Sequence, residues 1–357
     1  MLNNLEKLKI DILGASHASR ITLIVDGLPK GKKIDLDELQ KFVDRRKATN
    51  SAFSTKRLEG DIIHIASGLK DGVLTGERFE AYVENTNVKS QDYSNLQDTP
   101  RPSHADYVAY VKWNGKQDMR GGGKFSGRMT VAICILGGIA KQLLREYGIE
   151  VEAYVSSIGN IKSSSYKDTI PNVEDIKKLD SHFRVFNKKD EINALIEKTA
   201  QDKDSIGGVI ECIAYNVKPG LSDTLFDSLE GKIASCAYAV PAVKGVEFGA
   251  GFDIAKMTGS LANDEFFYDE DKNVKTYTNN NGGINGGISN GMPITMAVAI
   301  KPTPSIAKEQ RTINLKTKEN TTIEIQGRHD ACIVPRAVAP IESAMAIAIL
   351  DSVISEG

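Results

Sequence analysis

Arg120-Gly121-Gly122-Gly123-Lys124-Phe125-Ser126-Gly127-Arg128 runs without a spacer into Val131, Ile135, Leu136, Ile139, Leu143 and Leu144, apolar residues at helical spacing that continue until Gly148. A glycine-rich loop that feeds a helix directly is the local form of a mixed chain. Upstream, Leu8 to Leu13 and Ile21 to Val25 read as strands around the small-residue turn Gly14 to Arg20. Asp35, with Glu38 three residues on and Leu36, Leu39 and Val43 behind it, predicts a capped helix ending in Asp44-Arg45-Arg46-Lys47. From Asp61 to Tyr82 short β-branched runs predict a meander, and Glu84 to Arg101 a long loop. Downstream, Val173 to Lys203 reads as charged helix, Gly207 to Val217 as strand and Asp223 to Ala239 as amphipathic helix. The Asn/Gly tract from Asn279 to Gly291 leads into a strand at Ile294 to Ile300, and Ile341 to Ile354 forms a buried closing helix. Strands and helices alternate with no clean linker, so the class is α/β.

The glycine loop is built for anions. Bare glycine amides can curve around a phosphate, the following helix adds partial positive charge, and arginine forks match phosphate oxygens. A turn with solvated arginines has the same composition. Gly123-Lys124 is followed by Phe125 where a Walker loop needs Ser or Thr, and no glycine triplet has the Rossmann spacing.

The whole chain supplies no general pull on anions. Its 357 residues hold 45 basic and 47 acidic side chains, a formal charge of −2, so any anion site must be local. With 41% hydrophobic and 26% charged residues the composition is that of an ordinary globular protein. Nucleic-acid binding is disfavoured by near-neutral charge and by the lack of interleaved aromatic and basic residues. Cys134, Cys212, Cys236 and Cys332 are widely separated and read as reduced, buried thiols. The amino terminus lacks a signal pattern and the longest apolar stretch, Val131 to Ala140, is half a membrane span, so the expected location is the cytoplasm.

Three histidines sit in turns among charged neighbours: Ser16-His17, Arg101-Pro102-Ser103-His104-Ala105-Asp106 and Arg328-His329-Asp330. Any of them could exchange a proton with a phosphate near neutral pH, and any could be structural. His64 reads as a strand histidine and His182 as a solvated one on a charged helix. Asp330, between Arg328 and Arg336, is either a general base or a salt-bridged anchor.

Together these segments resemble the chorismate synthase family over almost the whole chain. Gly14-Ala15-Ser16-His17 with Asp26-Gly27-Leu28-Pro29-Lys30-Gly31, Arg120 to Ala140, and Gly327 to Asp351 are similar to its three signatures. Glu84-Asn85-Thr86 with Ser90 to Tyr93, Arg101 to Asp106, Ala242 to Glu247 and Lys301-Pro302-Thr303 match between them. The resemblance implies a single domain over residues 1–357 with the family's β-α-β sandwich: two antiparallel-rich sheets and their flanking helices. It implies a lyase that converts 5-enolpyruvylshikimate 3-phosphate to chorismate and phosphate, the last common step toward aromatic amino acids, with reduced FMN. It further implies a homotetramer fed by an external flavin reductant, with NADPH acting only indirectly through a flavin reductase.

Carried over by position, His17 would protonate or hydrogen-bond the leaving phosphate, His104 would stabilise and protonate the flavin, and Asp330 would act with flavin N5 in removing the ring proton. Ser16, Arg46, Arg101, Ser126, Arg128 and Arg328 would hold the substrate. FMN would lie against Lys124, Phe125, Ser126, Pro241, Ala242, Gly286, Lys301, Pro302, Thr303, Pro304, Ser305 and Arg328. The chain departs from the usual pattern at Ala15 (glutamate), Ala18 (glycine), Ala48-Thr49 (Pro-Gly), Ala52 (often arginine), Lys124 (commonly arginine) and Ala331 (proline).

Overall fold

The computed structural model describes residues 5–47, 60–85, 98–116, 122–325 and 330–356. The glycines Gly121 and Gly327, Arg120, Arg328, His329 and the departures at Ala48, Thr49 and Ala52 lie outside the described residues. Strands β1 (Lys9–Leu13), β2 (Arg20–Asp26), β3 (His64–Ser67) and β4 (Phe79–Glu84) form one sheet in the order β1-β2-β4-β3. Strands β5 (Glu150–Ile158), β6 (Ile161–Lys162), β7 (Gly208–Tyr215), β8 (Val243–Phe248) and β9 (Ile294–Ile300) form a second, in the order β8-β9-β7-β5-β6. Every pairing in both sheets is antiparallel.

Helices α1 (Leu36–Asp44), α2 (Asp106–Lys112), α3 (Thr130–Arg145), α4 (Val173–Lys177), α5 (Lys189–Gln201), α6 (Leu229–Tyr238) and α7 (Val334–Glu356) complete the frame. The central pair, α3 and α7, pack against each other; α3 also rests on β2 and β4, while α7 rests on β5 and β7. The two sheets therefore enclose a helical layer, with α4 on the far side of β5. Gly137 in α3 makes that crossing close: a Cβ there would fall 2.1 Å from Ser343 of α7. Its neighbour Gly138 faces Leu39 and Phe42 of α1, where a Cβ would lie 2.5 Å from Leu39. Mid-helix glycine costs about 1 kcal/mol against alanine, and here it sets the distance between three helices.

The sequence-level elements largely appear. Asp35 caps α1 by accepting from the Glu38 amide at 2.9 Å. The reciprocal half of the capping box is not made, because the Asp35 amide donates to Gln142 of α3 and the Glu38 side chain pairs with Arg145. Four expectations change, the first at α6, which starts at Leu229, six residues later than the reading from Asp223, after a separate 3₁₀ turn at Leu225–Asp227. Val173 to Lys203 is two helices, because the segment between α4 and α5 turns inward to bury Arg184 and Val185. His182 lies in that segment, half-buried, and not on a solvated helix face. The final helix starts at Val334, seven residues early, and passes through Pro340.

Val334–Glu356 and Gly127–Arg145 are long and apolar enough to cross a membrane, but 89% and 83% of their apolar windows are buried inside the protein, as core helices are. All four cysteines are free and buried, and burial pushes the Cys332 and Cys236 thiols up to about 12.

Candidate active site

The turn before α3, the turn after β1, the start of α2, the end of α6 and the start of α7 converge on a cleft of about 770 Å³. Into it the fold brings all three candidate catalytic residues, His17, His104 and Asp330. Ser16, Arg46, Arg101, Lys124, Phe125, Ser126, Arg128, Pro241, Ala242, Lys301, Thr303, Pro304 and Ser305 also line it. Eight lysines and arginines face two carboxylates across the lining, so the anion-binding power absent from the net charge is concentrated here.

The glycine loop is two consecutive 3₁₀ turns, Gly123–Phe125 and Gly127–Met129. Ser126 links them, accepting from the Arg128 amide at 3.1 Å. Gly123 takes φ +52°, a left-handed conformation that suits glycine, and its carbonyl accepts from the Ser16 amide at 3.1 Å. The loop thus fixes the histidine turn. Phe125 remains 44% exposed at the rim, its ring 6.0 Å from that of Trp113.

On the cleft floor Arg46 and Arg128, both buried, share Asp61. Arg46 donates to Asp61 at 2.6 Å, to Thr130 at 3.2 Å and to the Gly127 carbonyl at 3.4 Å. Arg128 makes a short ion pair with the other Asp61 oxygen and donates to Asn85 at 2.9 Å. Burial pulls the Arg46 guanidinium down to about 10, helped by repulsion from Arg336 and Arg128 and opposed by Asp61. It is still a cation at neutral pH.

A second buried carboxylate organises the next wall. Asp106 accepts from the Arg101 amide at 3.1 Å and from both sides of its guanidinium fork at 2.7 and 2.8 Å. His104 Nδ1 lies 2.5 Å from Asp106 Oδ1 and 3.1 Å from an Arg101 nitrogen. The shorter contact makes Nδ1 a donor to Asp106. Burial alone would raise the Asp106 carboxyl, but Arg101 and His104 outweigh it and hold the group below the usual carboxylate range. Arg101 also donates to Ser305 at 3.2 Å, and Lys301 donates to the Ser103 carbonyl at 2.7 Å. Burial and the nearby Lys244 lower the Lys301 ammonium from its ordinary value.

Ser16 Oγ lies 2.9 Å from His17 Nδ1, which orients that ring. Asp330 is ion-paired with Arg336 at 2.5 Å, and the Thr303 hydroxyl donates to its backbone carbonyl at 2.8 Å. Arg336 also reaches the Arg46 carbonyl at 3.3 Å, joining the Asp330 corner to the arginine floor.

Two expected residues are not brought to the cleft. Gly286 sits in the exposed turn between Ile284–Asn285 and Ile288–Ser289, and Pro302 is exposed outside the lining. The Asn/Gly tract approaches its own chain: Cβ atoms on Gly282 and Gly283 would meet the backbones of Gly249 and Pro293. Sequence reading gave no role to Asp61, Asp106 or Thr130, and named Arg336 only as one of the two arginines flanking Asp330. Asp106 had a signal, since it follows His104 by two residues at a helix start; Asp61 had none.

A family model described as chorismate synthase matches residues 8–354. A chorismate synthase of Dehalococcoides mccartyi is 43% identical over 100% of this chain and 98% of its own. One from Methanocaldococcus jannaschii is 44% identical over 98% and 95%, and one from Thermococcus kodakarensis 42% over 96% and 95%. A chorismate synthase crystal structure superposes with a TM-score of 0.76 at 27% identity, covering 99% of this chain and 93% of that one.

Proposed function

The chain belongs to the chorismate synthase family of lyases, and we propose that its cationic cleft holds 5-enolpyruvylshikimate 3-phosphate beside reduced FMN, with His17, His104 and Asp330 as the proton-handling residues. The family reaction eliminates phosphate and a ring proton across four atoms to give chorismate. That reaction sets three demands: charge stabilisation on a leaving phosphate, a proton donor beside it and a base for the ring proton.

Arg46, Arg101, Arg128 and Ser126 meet the first demand by binding the substrate's phosphate and carboxylates, and Arg328 joins them by sequence position. His17, oriented through Ser16, donates toward the leaving phosphate oxygen. Asp330 takes the ring proton, and its partner Arg336 keeps the carboxylate turned into the cleft. Asp106 orients the His104 ring through Nδ1, so that Nε2 is the nitrogen that exchanges a proton with the cofactor.

The lining suits a flavin. Val240, Pro241, Ala242 and the exposed ring of Phe125 offer an apolar slab, and Lys124, Lys244 and Lys301 supply cations for a phosphate tail. Reduced FMN, when bound, supplies electron density to the reacting ring without net consumption. We read the chain as one unit, because a single contiguous core joins residues of both sheets. A homotetramer, a cytoplasmic location and an externally reduced flavin complete the reading; NADPH-driven turnover by the pure protein under air would contradict the last.

The observation that carries the proposal is the convergence of all three candidate catalytic residues with Arg46, Arg101 and Arg128 in one cleft. Anaerobic incubation with dithionite-reduced FMN and the substrate tests it. Chorismate and phosphate should appear in equal amounts, and no product from folded, FMN-binding protein would contradict it.

A further inference from the structure

Asp61 is the described residue that ties the two floor arginines to each other. Arg46 follows α1 and Arg128 precedes α3, so they reach the cleft from separate segments. One carboxylate meets both, with Oδ2 on Arg46 and Oδ1 on Arg128. Its side chain is about 1% exposed, less than either guanidinium that it bonds. The backbone at Asp61 is left-handed, φ +47°, and its carbonyl accepts from Gln40 of α1 at 3.0 Å. Asp61 is thus anchored to the helix that delivers Arg46.

Two buried guanidiniums repel with little screening, and a carboxylate paired with both opposes their separation. From this geometry we infer that Asp61 is a positioning residue for substrate binding, aligning Arg46 and Arg128 as one anion receptor. This inference rests on the reading of the cleft as the site for the anionic substrate. It has a sharp alternative in the opposite direction. Were Asp61 only a counter-charge, removing it would leave the pair more positive and tighten anion binding.

Asp61→Asn keeps the shape and one acceptor but cannot serve two guanidiniums with a full carboxylate. Asp61→Glu keeps the charge and lengthens the reach. With saturating reduced FMN, Asp61→Asn should raise the substrate KM at least tenfold while kcat stays within about threefold, and Asp61→Glu should recover part of the loss. Binding of inorganic phosphate, followed without turnover, should weaken in the same order. This second arm separates the inference from the assigned reaction, since a wild type that makes no chorismate still reports on the receptor. Unchanged or tighter phosphate binding in a folded Asp61→Asn protein would overturn the inference. If Asp61→Asn does not fold, an Asp61→Glu protein with wild-type KM and phosphate affinity would overturn it equally.

Discussion

Arg45 and Arg46 are adjacent in sequence and serve two different ionic centres. Arg45 turns into the core, where both of its terminal nitrogens bond Glu342 of α7 at 2.8 Å. That carboxylate is fully buried and also receives Lys141 of α3, Arg184 and the Ala153 amide of β5, while Glu152 pairs with Lys141 and Arg184. Arg46 turns into the cleft, where two arginines share one carboxylate. In the core, three cations meet two carboxylates and the charges are spent on one another across the helical layer and the second sheet. In the cleft the excess is far larger, eight cations to two carboxylates, and it faces an open space. Closed pairing holds layers together, whereas unbalanced pairing leaves capacity for a ligand.

The largest effect should come from breaking the closed centre. Glu342→Gln leaves Arg45, Lys141 and Arg184 short of a fully buried partner and should cost about 3 to 5 kcal/mol of unfolding free energy, measured by denaturant titration, with activity per folded molecule little changed. Arg46→Ala should do the reverse, raising the substrate KM by about ten- to a hundredfold, the range of a lost charged hydrogen bond, with a smaller loss of stability. Gly137→Ala tests the layer spacing: the added methyl meets Ser343, and the cost of overpacking, about 1 to 3 kcal/mol, should exceed the gain in helix propensity.

The smallest effect lies in the pH profile. Burial would raise the Glu342 carboxyl, but Arg45, Lys141 and Arg184 hold it well below the usual carboxylate range. A carboxyl depressed in the folded state adds stability at pH values above its unfolded pKa of about 4 and loses that contribution as pH falls toward the folded value. Wild type should therefore lose stability more steeply than Glu342→Gln below about pH 4, and the gap between them should narrow. Parallel curves would place the stabilisation elsewhere.

The frame was legible where periodicity and capping speak, as at Asp35 and along α3. Strand β5 was not, because Glu152, Ser156 and Ser157 interrupt its apolar pattern while both of its faces are buried, one under α7 and one beneath α4. Its polar residues are satisfied by partners distant in sequence, such as Glu211, which accepts from Tyr154, Ser156 and Ser165. At the site, His17, His104, Asp330 and the arginines were legible through motif resemblance. Asp61 and the division of labour between Arg45 and Arg46 depend on which way each side chain leaves the end of α1. A run of basic residues looks like one patch until the helix end gives each member a direction.

The central claim is that a chain of net charge −2 concentrates its binding of an anionic substrate in this one cleft. Calorimetric titration of 5-enolpyruvylshikimate 3-phosphate into wild-type and Arg46→Ala protein, with oxidised FMN present so that nothing turns over, tests it directly. The account predicts one site per chain in the wild type and at least tenfold weaker binding in the variant. Equal affinity and stoichiometry in the two proteins would contradict it.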